Sequence, residues 1–244
     1  MTATALGRAR RTVLAGALCA GLVAGMTGLT GCGAEEDPDA GTNGVGKLSA
    51  AKIQHKALSA AKVAGSVRLS GSVVSKGAAY KLDMRLTDNG GSGEVRSKNG
   101  TFELLRVGNE LYLKADAGFW STDEPAADKL DGKYVKVPPG DPAYKQFSGF
   151  TDKDLLLDGL LTLHGKLSVG ARGTADGKRT IKVSGDKGAG GSLDVSLEGT
   201  AYPLLLARAG GAGQIRLTDW DKDVDLKAPG QGQTVDYGRQ LPSS

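Results

Sequence analysis

Residues 65–86, which read GSVRLSGSVVSKGAAYKLDMRL, decide the fold. Apolar side chains alternate with polar ones on both sides of the short Ser-Lys-Gly stretch at 75–77. Successive side chains of a β-strand point to opposite faces, so this alternation predicts two strands with one buried face, joined as an antiparallel hairpin. The alternating apolar residues are Val67, Leu69, Val73, Tyr80, Leu82, Met84 and Leu86.

The same alternation recurs along most of the chain, between glycine-rich turns of the kind that hairpins use. It predicts a meander of neighbouring strands. The further strand segments are 102–107, 111–115, 167–173, 180–184, 193–197, 202–209 and 214–218.

A helical pattern precedes the first strand. From Ser49 onward, Ala50, Ile53, Ala57 and Ala61 recur at helical spacing, which predicts an amphipathic helix with an apolar stripe made mostly of alanine. Such a helix can leave space between itself and the sheet, which an apolar ligand could fill. It can equally pack close to the sheet, because alanine permits close approach. The residues alone leave both alternatives open.

A segment from Asp116 to Leu163 interrupts the meander and predicts two or three short helices with loops. It contains Phe119-Trp120 and a leucine cluster opened by Thr151 and Asp152. The two aromatics suit either core packing or lipid contact. Strands outnumber helices and neighbouring strands pair, so the predicted class is α+β with a largely antiparallel sheet.

The first 31 residues have the pattern of a secretory signal peptide. Arg8, Arg10 and Arg11 precede an apolar run from Val13 to Leu29 that is too short and too glycine-rich for a stable membrane span. The Arg10-Arg11 pair fits a twin-arginine export signal and an ordinary basic n-region equally well.

Leu29-Thr30-Gly31-Cys32 resembles the lipobox of bacterial lipoproteins in all four positions. This predicts cleavage between Gly31 and Cys32 and a diacylglyceryl group on the Cys32 sulfur, which would hold the protein in membrane lipid at the outer face of the cytoplasmic membrane. The second cysteine, Cys19, lies inside the predicted signal, so no intramolecular disulfide is expected in the mature chain.

The composition of the mature chain gives no support for a nucleic-acid partner, and we expect none. Removal of residues 1–31 takes away three of 31 basic residues and no acidic ones, which leaves 28 basic against 27 acidic residues. The predicted organisation is a signal peptide (1–31), a lipidated cysteine with a flexible tether (32–47), a single domain (48–228) and a flexible tail (229–244). We expect a monomer.

No residue pattern points to catalysis or to a cofactor. The two histidines, His55 and His164, have no neighbouring ligand at metal spacing, and both are expected to be solvated. Four alternating carboxylates fit the solvated face of a strand better than a calcium loop, because Val224 and Gly230 stand where such a loop needs glycine and glutamate. These carboxylates are Asp219, Asp221, Asp223 and Asp225.

A diffuse pattern spread over residues 48–228 resembles the actinobacterial lipoproteins of the LppX and LprG type. It includes the helix 47–62 and the segments 65–71, 80–86, 100–114, 119–120, 133–137 and 202–206. The resemblance implies a LolA-like fold, in which helices cover the concave face of a curved antiparallel half-barrel around an apolar cavity. It further implies a non-catalytic carrier of a lipid or acylated glycolipid.

Under this resemblance, apolar residues of the helix, the strands and the insertion are candidates to line the cavity. A protein-interaction or envelope-sensor module on the same scaffold is the alternative function. The candidate lining residues are Ile53, Ala57, Val67, Leu69, Leu82, Met84, Leu104, Leu111, Leu113, Phe119, Trp120, Phe147, Phe150, Leu156, Leu160, Val195, Leu197 and Leu204.

Overall fold

A computed structural model describes residues 37–75, 77–98, 100–116, 119–120 and 130–236. Residues 1–36, which contain the predicted signal peptide, Gly31 and Cys32, lie outside the described residues. No helix in the described part of the chain is long and apolar enough to cross a membrane.

A curved, open sheet of twelve strands dominates the structure, in the order β12-β6-β5-β4-β3-β2-β1-β11-β10-β9-β8-β7. Neighbouring strands are antiparallel, except that β12 pairs with β6 in parallel. The predicted α+β half-barrel with covering helices is confirmed. The strands are β1 (Ser66–Ser75), β2 (Ala78–Thr87), β3 (Gly90–Ser97), β4 (Gly100–Val107), β5 (Glu110–Ala115), β6 (Tyr134–Val137), β7 (Leu167–Ala175), β8 (Lys178–Gly185), β9 (Ser192–Ser196), β10 (Pro203–Ala207), β11 (Gly213–Thr218) and β12 (Thr234–Asp236).

β1 and β2 form the predicted hairpin. Leu69 faces Met84 in the register, and both side chains are fully buried. On the opposite face, Arg68 donates two hydrogen bonds to Asp83, the shorter at 2.7 Å. These hydrogen bonds lower the pKa of the Asp83 carboxyl. The hairpin therefore has one apolar and one polar face, as the alternation requires.

β3 was not expected from the sequence, because its residues GGSGEVRS include Val95 as their sole large apolar side chain. It nevertheless joins the hairpin to β4. Gly93 lies between Met84 of β2 and Leu104 of β4. A Cβ atom on Gly93 would lie 2.1 Å from the Asp83 carbonyl oxygen, so the neighbouring backbone passes too close for any side chain.

The first helix, α1 (Ala50–Val63), matches the predicted position and packs against β7–β10. Ile53, Ala57 and Ala61 are each at most 1% exposed to solvent. Between α1 and the helix α3 (Lys153–Leu161) lies a space of about 20 Å³, beside Ala61 and Leu157. The alanine stripe therefore gives close packing, and it does not hold the helix away from the sheet.

From residue 134 onward, the insertion contributes β6 and the two short helices α2 (Pro142–Ser148) and α3. The Asp141 carboxylate caps α2 by accepting a hydrogen bond from the Ala143 amide at 2.7 Å. The Asp152 carboxylate caps α3 in the same way at the Leu155 amide, at 3.0 Å. Both caps satisfy amides that have no partner within the helix, and they fix where each helix begins.

The N-terminal segment and the C-terminal tail are more ordered than the sequence predicts. The Asn43 side-chain amide donates to the carbonyls of Ser196 and Gly199, both at 3.0 Å, and Val45 is 4% exposed. Thr234–Asp236 pair with β6. The folded unit thus extends beyond 48–228 at both ends, because backbone and amide hydrogen bonds dock segments that lack apolar periodicity. Residues 237–244 lie outside the described part.

Lys153 joins three parts of the fold. Its side chain is 2% exposed, and its ammonium group donates to the carbonyls of Ala64 and Lys62 at the end of α1. It also pairs with Asp88 in the β2–β3 turn, with 2.5 Å between Nζ and Oδ1. The buried cation therefore satisfies the last carbonyls of α1 and holds α3 against them.

We expect Lys153→Met to lower the free energy of unfolding by about 2 kcal/mol. Methionine fills a similar volume, but it leaves the buried Ala64 carbonyl without its charged donor. Urea unfolding of the chain from residue 32 onward, with Cys32→Ser, measures this loss.

Asp88→Asn is the matched control for the ion pair. The Asp88 side chain is 67% exposed, so water replaces the lost charge contact and the expected loss is about 0.5 kcal/mol. Equal losses in both variants would show that the ion pair stabilises the site and that the carbonyl contacts do not.

Candidate functional site

An open cavity of about 750 Å³ lies between the β1–β2 hairpin and helices α2 and α3. Seven large apolar side chains line it, and glycines at 149 and 159 widen it on the helical side. α1 does not contribute to its wall. The apolar residues are Val73, Tyr80, Leu82, Phe150, Leu155, Leu156 and Leu160.

The hairpin register places the strand side of this wall. Val73 pairs directly with Tyr80, and Leu82 lies two residues further along the same face. The Tyr80 and Phe150 rings meet with 6.3 Å between centroids and 48° between planes. The sheet and the segment after α2 thus meet through aromatic contact at one side of the cavity.

The helical side includes apolar surface that is open to solvent. Leu155 is 63% exposed, whereas Leu160 of the same helix is 6% exposed. Phe150 and Leu156 are half-buried. A leucine this exposed within a concave apolar wall is suited to contact with an apolar ligand.

Polar groups lie where the cavity opens to solvent. We call Ser75, Lys145, Gln146 and Arg208 the polar rim. The rim therefore offers two cations, a hydroxyl and an amide, and none of the described residues that line the cavity is acidic.

Four of the predicted lining residues lie in this wall: Leu82, Phe150, Leu156 and Leu160. Phe119 is half-buried against the core, and the others are buried away from the cavity, because α1 and the insertion cover the rest of the sheet closely. These buried residues are Ile53, Ala57, Val67, Leu69, Met84, Leu104, Leu111, Leu113, Trp120, Phe147, Val195, Leu197 and Leu204.

The aromatic residues of the insertion pack mainly against aromatic residues of the sheet. Phe102 of β4 contacts Phe119 and Phe147, with ring centroids 5.6 and 5.3 Å away. Trp120 is 3% exposed and meets Phe119 edge-on at 5.3 Å. Of the two alternatives that the sequence left open, the structure shows core packing.

Sequence reasoning missed Val73, Tyr80, Leu155 and the polar rim as parts of the cavity wall. Val73 and Tyr80 were recognisable as inward-facing strand residues. Leu155 belongs to the leucine cluster that follows Thr151 and Asp152 in the insertion. No sequence signal indicated that these residues meet, because their contact depends on where α2 and α3 dock.

The acidic segment after β11 is not the strand that the sequence predicts. Asp219 and Asp221 have positive φ angles of 53° and 58°, so the backbone turns and the carboxylates do not share a strand face. Lys222 pairs with Asp219 at 2.6 Å and Lys227 pairs with Asp225 at 2.5 Å. No three metal-ligating side chains cluster within the described ranges.

Asp221 has a structural role in this turn. It accepts hydrogen bonds from the Gly65 amide at 2.8 Å and from the Tyr202 hydroxyl. Burial and the Asp221 hydrogen bond raise the pKa of Tyr202 to about 12. The Tyr202 ring stacks on Trp220 at 4.7 Å. The segment thus closes the end of β1.

The two histidines are both exposed, His55 on α1 and His164 in the loop before β7.

The sequence matches no family model and no curated protein sequence. Among solved structures, LprF from Mycobacterium bovis superimposes with a TM-score of 0.53 over 74% of this chain and 96% of LprF, at 18% identity. The chain has the LprF fold. The lipoprotein LppX from Mycobacterium tuberculosis gives a TM-score of 0.45 at 15% identity, over 73% of this chain and 98% of LppX.

The likeness to LprF confirms the resemblance drawn from the sequence at the level of the fold. In this chain, the order of helix, strands, helical insertion and strands is the one expected from the sequence patterns.

Proposed function

We propose that the protein is a non-catalytic lipoprotein that binds a lipid or acylated glycolipid in the cavity between the β1–β2 hairpin and α2–α3. The supporting observation is the open cavity of about 750 Å³ with seven large apolar side chains in its wall. This volume falls within the range of about 300–1,000 Å³ that is usual for small-molecule sites.

Some apolar side chains in the cavity wall remain exposed to solvent, and a ligand that covers them gains free energy. Burial of a leucine stabilises by about 1.5–3 kcal/mol relative to full exposure, and Leu155 is 63% exposed. An acyl chain along Leu155, Phe150 and Tyr80 would cover this surface. The same contact is unavailable beneath α1, where the packing is close.

We further propose that Cys32 carries the anchor, on the strength of the signal and lipobox patterns. Because residues 39–47 dock on the domain through Asp39, Asn43 and Val45, the stretch that can act as a tether is shorter than the sequence suggests. Anchoring of this kind would keep the cavity at a membrane surface.

Gly159 provides a direct test of the cavity. It lies in α3 with an ordinary φ, and a Cβ placed on it meets no atom within 4 Å. Gly159 also lines the cavity, one helical turn after Leu155 and Leu156, so a large side chain there would occupy cavity space without disturbing the backbone. We expect Gly159→Trp to weaken binding of the neutral apolar probe N-phenyl-1-naphthylamine by at least about tenfold, equivalent to about 1.4 kcal/mol.

Gly159→Ala is the matched control. It should keep probe binding and raise the free energy of unfolding by about 0.5–1 kcal/mol, because alanine is a better helix former than glycine. Fluorescence titration and urea unfolding measure the two effects. Absence of probe binding to the unsubstituted protein would contradict a lipid-binding function and favour a protein-interaction or sensor module.

A further inference from the structure

The polar rim has an unusual charge balance. Lys145 on α2 and Arg208 after β10 both line the cavity, and among the residues that the structure describes no carboxylate lines it. Over the mature chain, by contrast, 28 basic residues stand against 27 acidic ones. The positive charge at the cavity is therefore a local feature and does not reflect the composition of the protein.

The two rim cations lack the carboxylate partners that many other surface cations have. Arg68, Lys114 and Lys182 each pair with a carboxylate on a neighbouring strand, at 2.7–3.2 Å. Within the part of the chain that the structure describes, the side chains of Lys145 and Arg208 make no hydrogen bond or ion pair. Both remain available to a ligand.

We propose that the cavity selects an amphiphile with an anionic head group, a class that includes lipid phosphates, sulfates and carboxylates. This inference rests on the proposed function. The acyl part lies along Leu155, Phe150 and Tyr80, and the anionic oxygens accept hydrogen bonds from Lys145 and Arg208 at the mouth. Arginine suits this role because its guanidinium can donate two parallel bonds to one anion.

The expected selectivity is moderate, because both cations lie near solvent. Lys145 is exposed and Arg208 is half-buried, so water and salt screen their charges in part. We expect an anionic amphiphile to bind about five- to tenfold more tightly than its neutral counterpart in low salt. The advantage should shrink in 0.5 M NaCl, where the screening length is only a few ångströms.

cis-Parinaric acid and its methyl ester form a matched fluorescent pair that differs in the head-group charge at pH 7.5. Both are titrated into the chain from residue 32 onward, with Cys32→Ser, and into its Lys145→Gln/Arg208→Gln variant. The acid should bind more tightly than the ester to the unsubstituted rim, and the two affinities should become equal in the double variant. Lys52→Gln/Lys56→Gln, which removes two exposed charges from α1, should keep the preference.

A rim that binds the acid and the ester equally well overturns the charge selection and leaves the proposed lipid binding intact. A preference that survives Lys145→Gln/Arg208→Gln also overturns it, because the charge would then be recognised elsewhere. If neither probe binds, both the inference and the proposed function fail. Competition by 10 mM inorganic phosphate against the acid alone would support the rim as a general anion site within an amphiphile cavity.

Discussion

A Cys32→Ala precursor is expected to lose incorporation of labelled palmitate completely and, where its signal is removed, to leave the membrane fraction. The substitution removes the sulfur on which the diacylglyceryl group is predicted to form. Two acyl chains anchor a protein firmly in a membrane, and a protein without them loses this anchor. The protein should appear as soluble exported chain or as uncleaved precursor, which electrophoresis distinguishes by size.

Cys19→Ala is the matched control, because Cys19 is the other cysteine and lies inside the predicted signal. It should leave both palmitate labelling and membrane association unchanged. The fold should tolerate Cys32→Ala, since the buried core of the described domain begins only at Val45. Palmitate labelling that persists in Cys32→Ala would place the lipid on another residue and end the lipobox interpretation.

The sequence predicted the strands best where a large apolar residue occupies every second position. Leu82, Met84 and Leu86 are buried to within 2% of full burial, and the polar residues between them face outward. The reason is that one face of this antiparallel sheet is buried, so every second residue of a strand must be apolar.

β3 shows where that reasoning stops. Its glycines at 90, 91 and 93 carry no side chain, so hydrophobic alternation cannot mark the strand. The signal that exists there is steric and depends on the neighbouring strands, because β2 and β4 approach the glycine backbone closely. Such a constraint is readable only when the pairing is known.

The position of the cavity could not be predicted from the sequence, because it also depends on tertiary contacts. The alanine stripe of α1 was compatible with a gap and with close packing, and the structure shows close packing at Ile53 and Ala57. The open space lies instead where α2 and α3 stop short of the β1–β2 hairpin. That gap follows from the docking of two short helices, which local periodicity does not encode.

Gly93→Ala should have the largest effect on stability, with a loss of about 3 kcal/mol or more in the free energy of unfolding. The new Cβ would lie 2.1 Å from the Asp83 carbonyl oxygen and 2.7 Å from the Met84 Cα. Both are backbone atoms of β2, so neither can move without breaking the β2–β3 pairing. The pairing between β2 and β3 would have to open around Gly93.

Gly173→Ala in the edge strand β7 is the control that separates this clash from the general effect of a glycine substitution. Its Cβ would meet the Thr180 Oγ1 at 3.6 Å, an ordinary contact, so we expect a change within about 0.5 kcal/mol. Urea unfolding of both variants, in the chain from residue 32 onward with Cys32→Ser, measures the difference. If Gly93→Ala unfolded at the same urea concentration as Gly173→Ala, the close approach of β2 to β3 would not constrain the sheet.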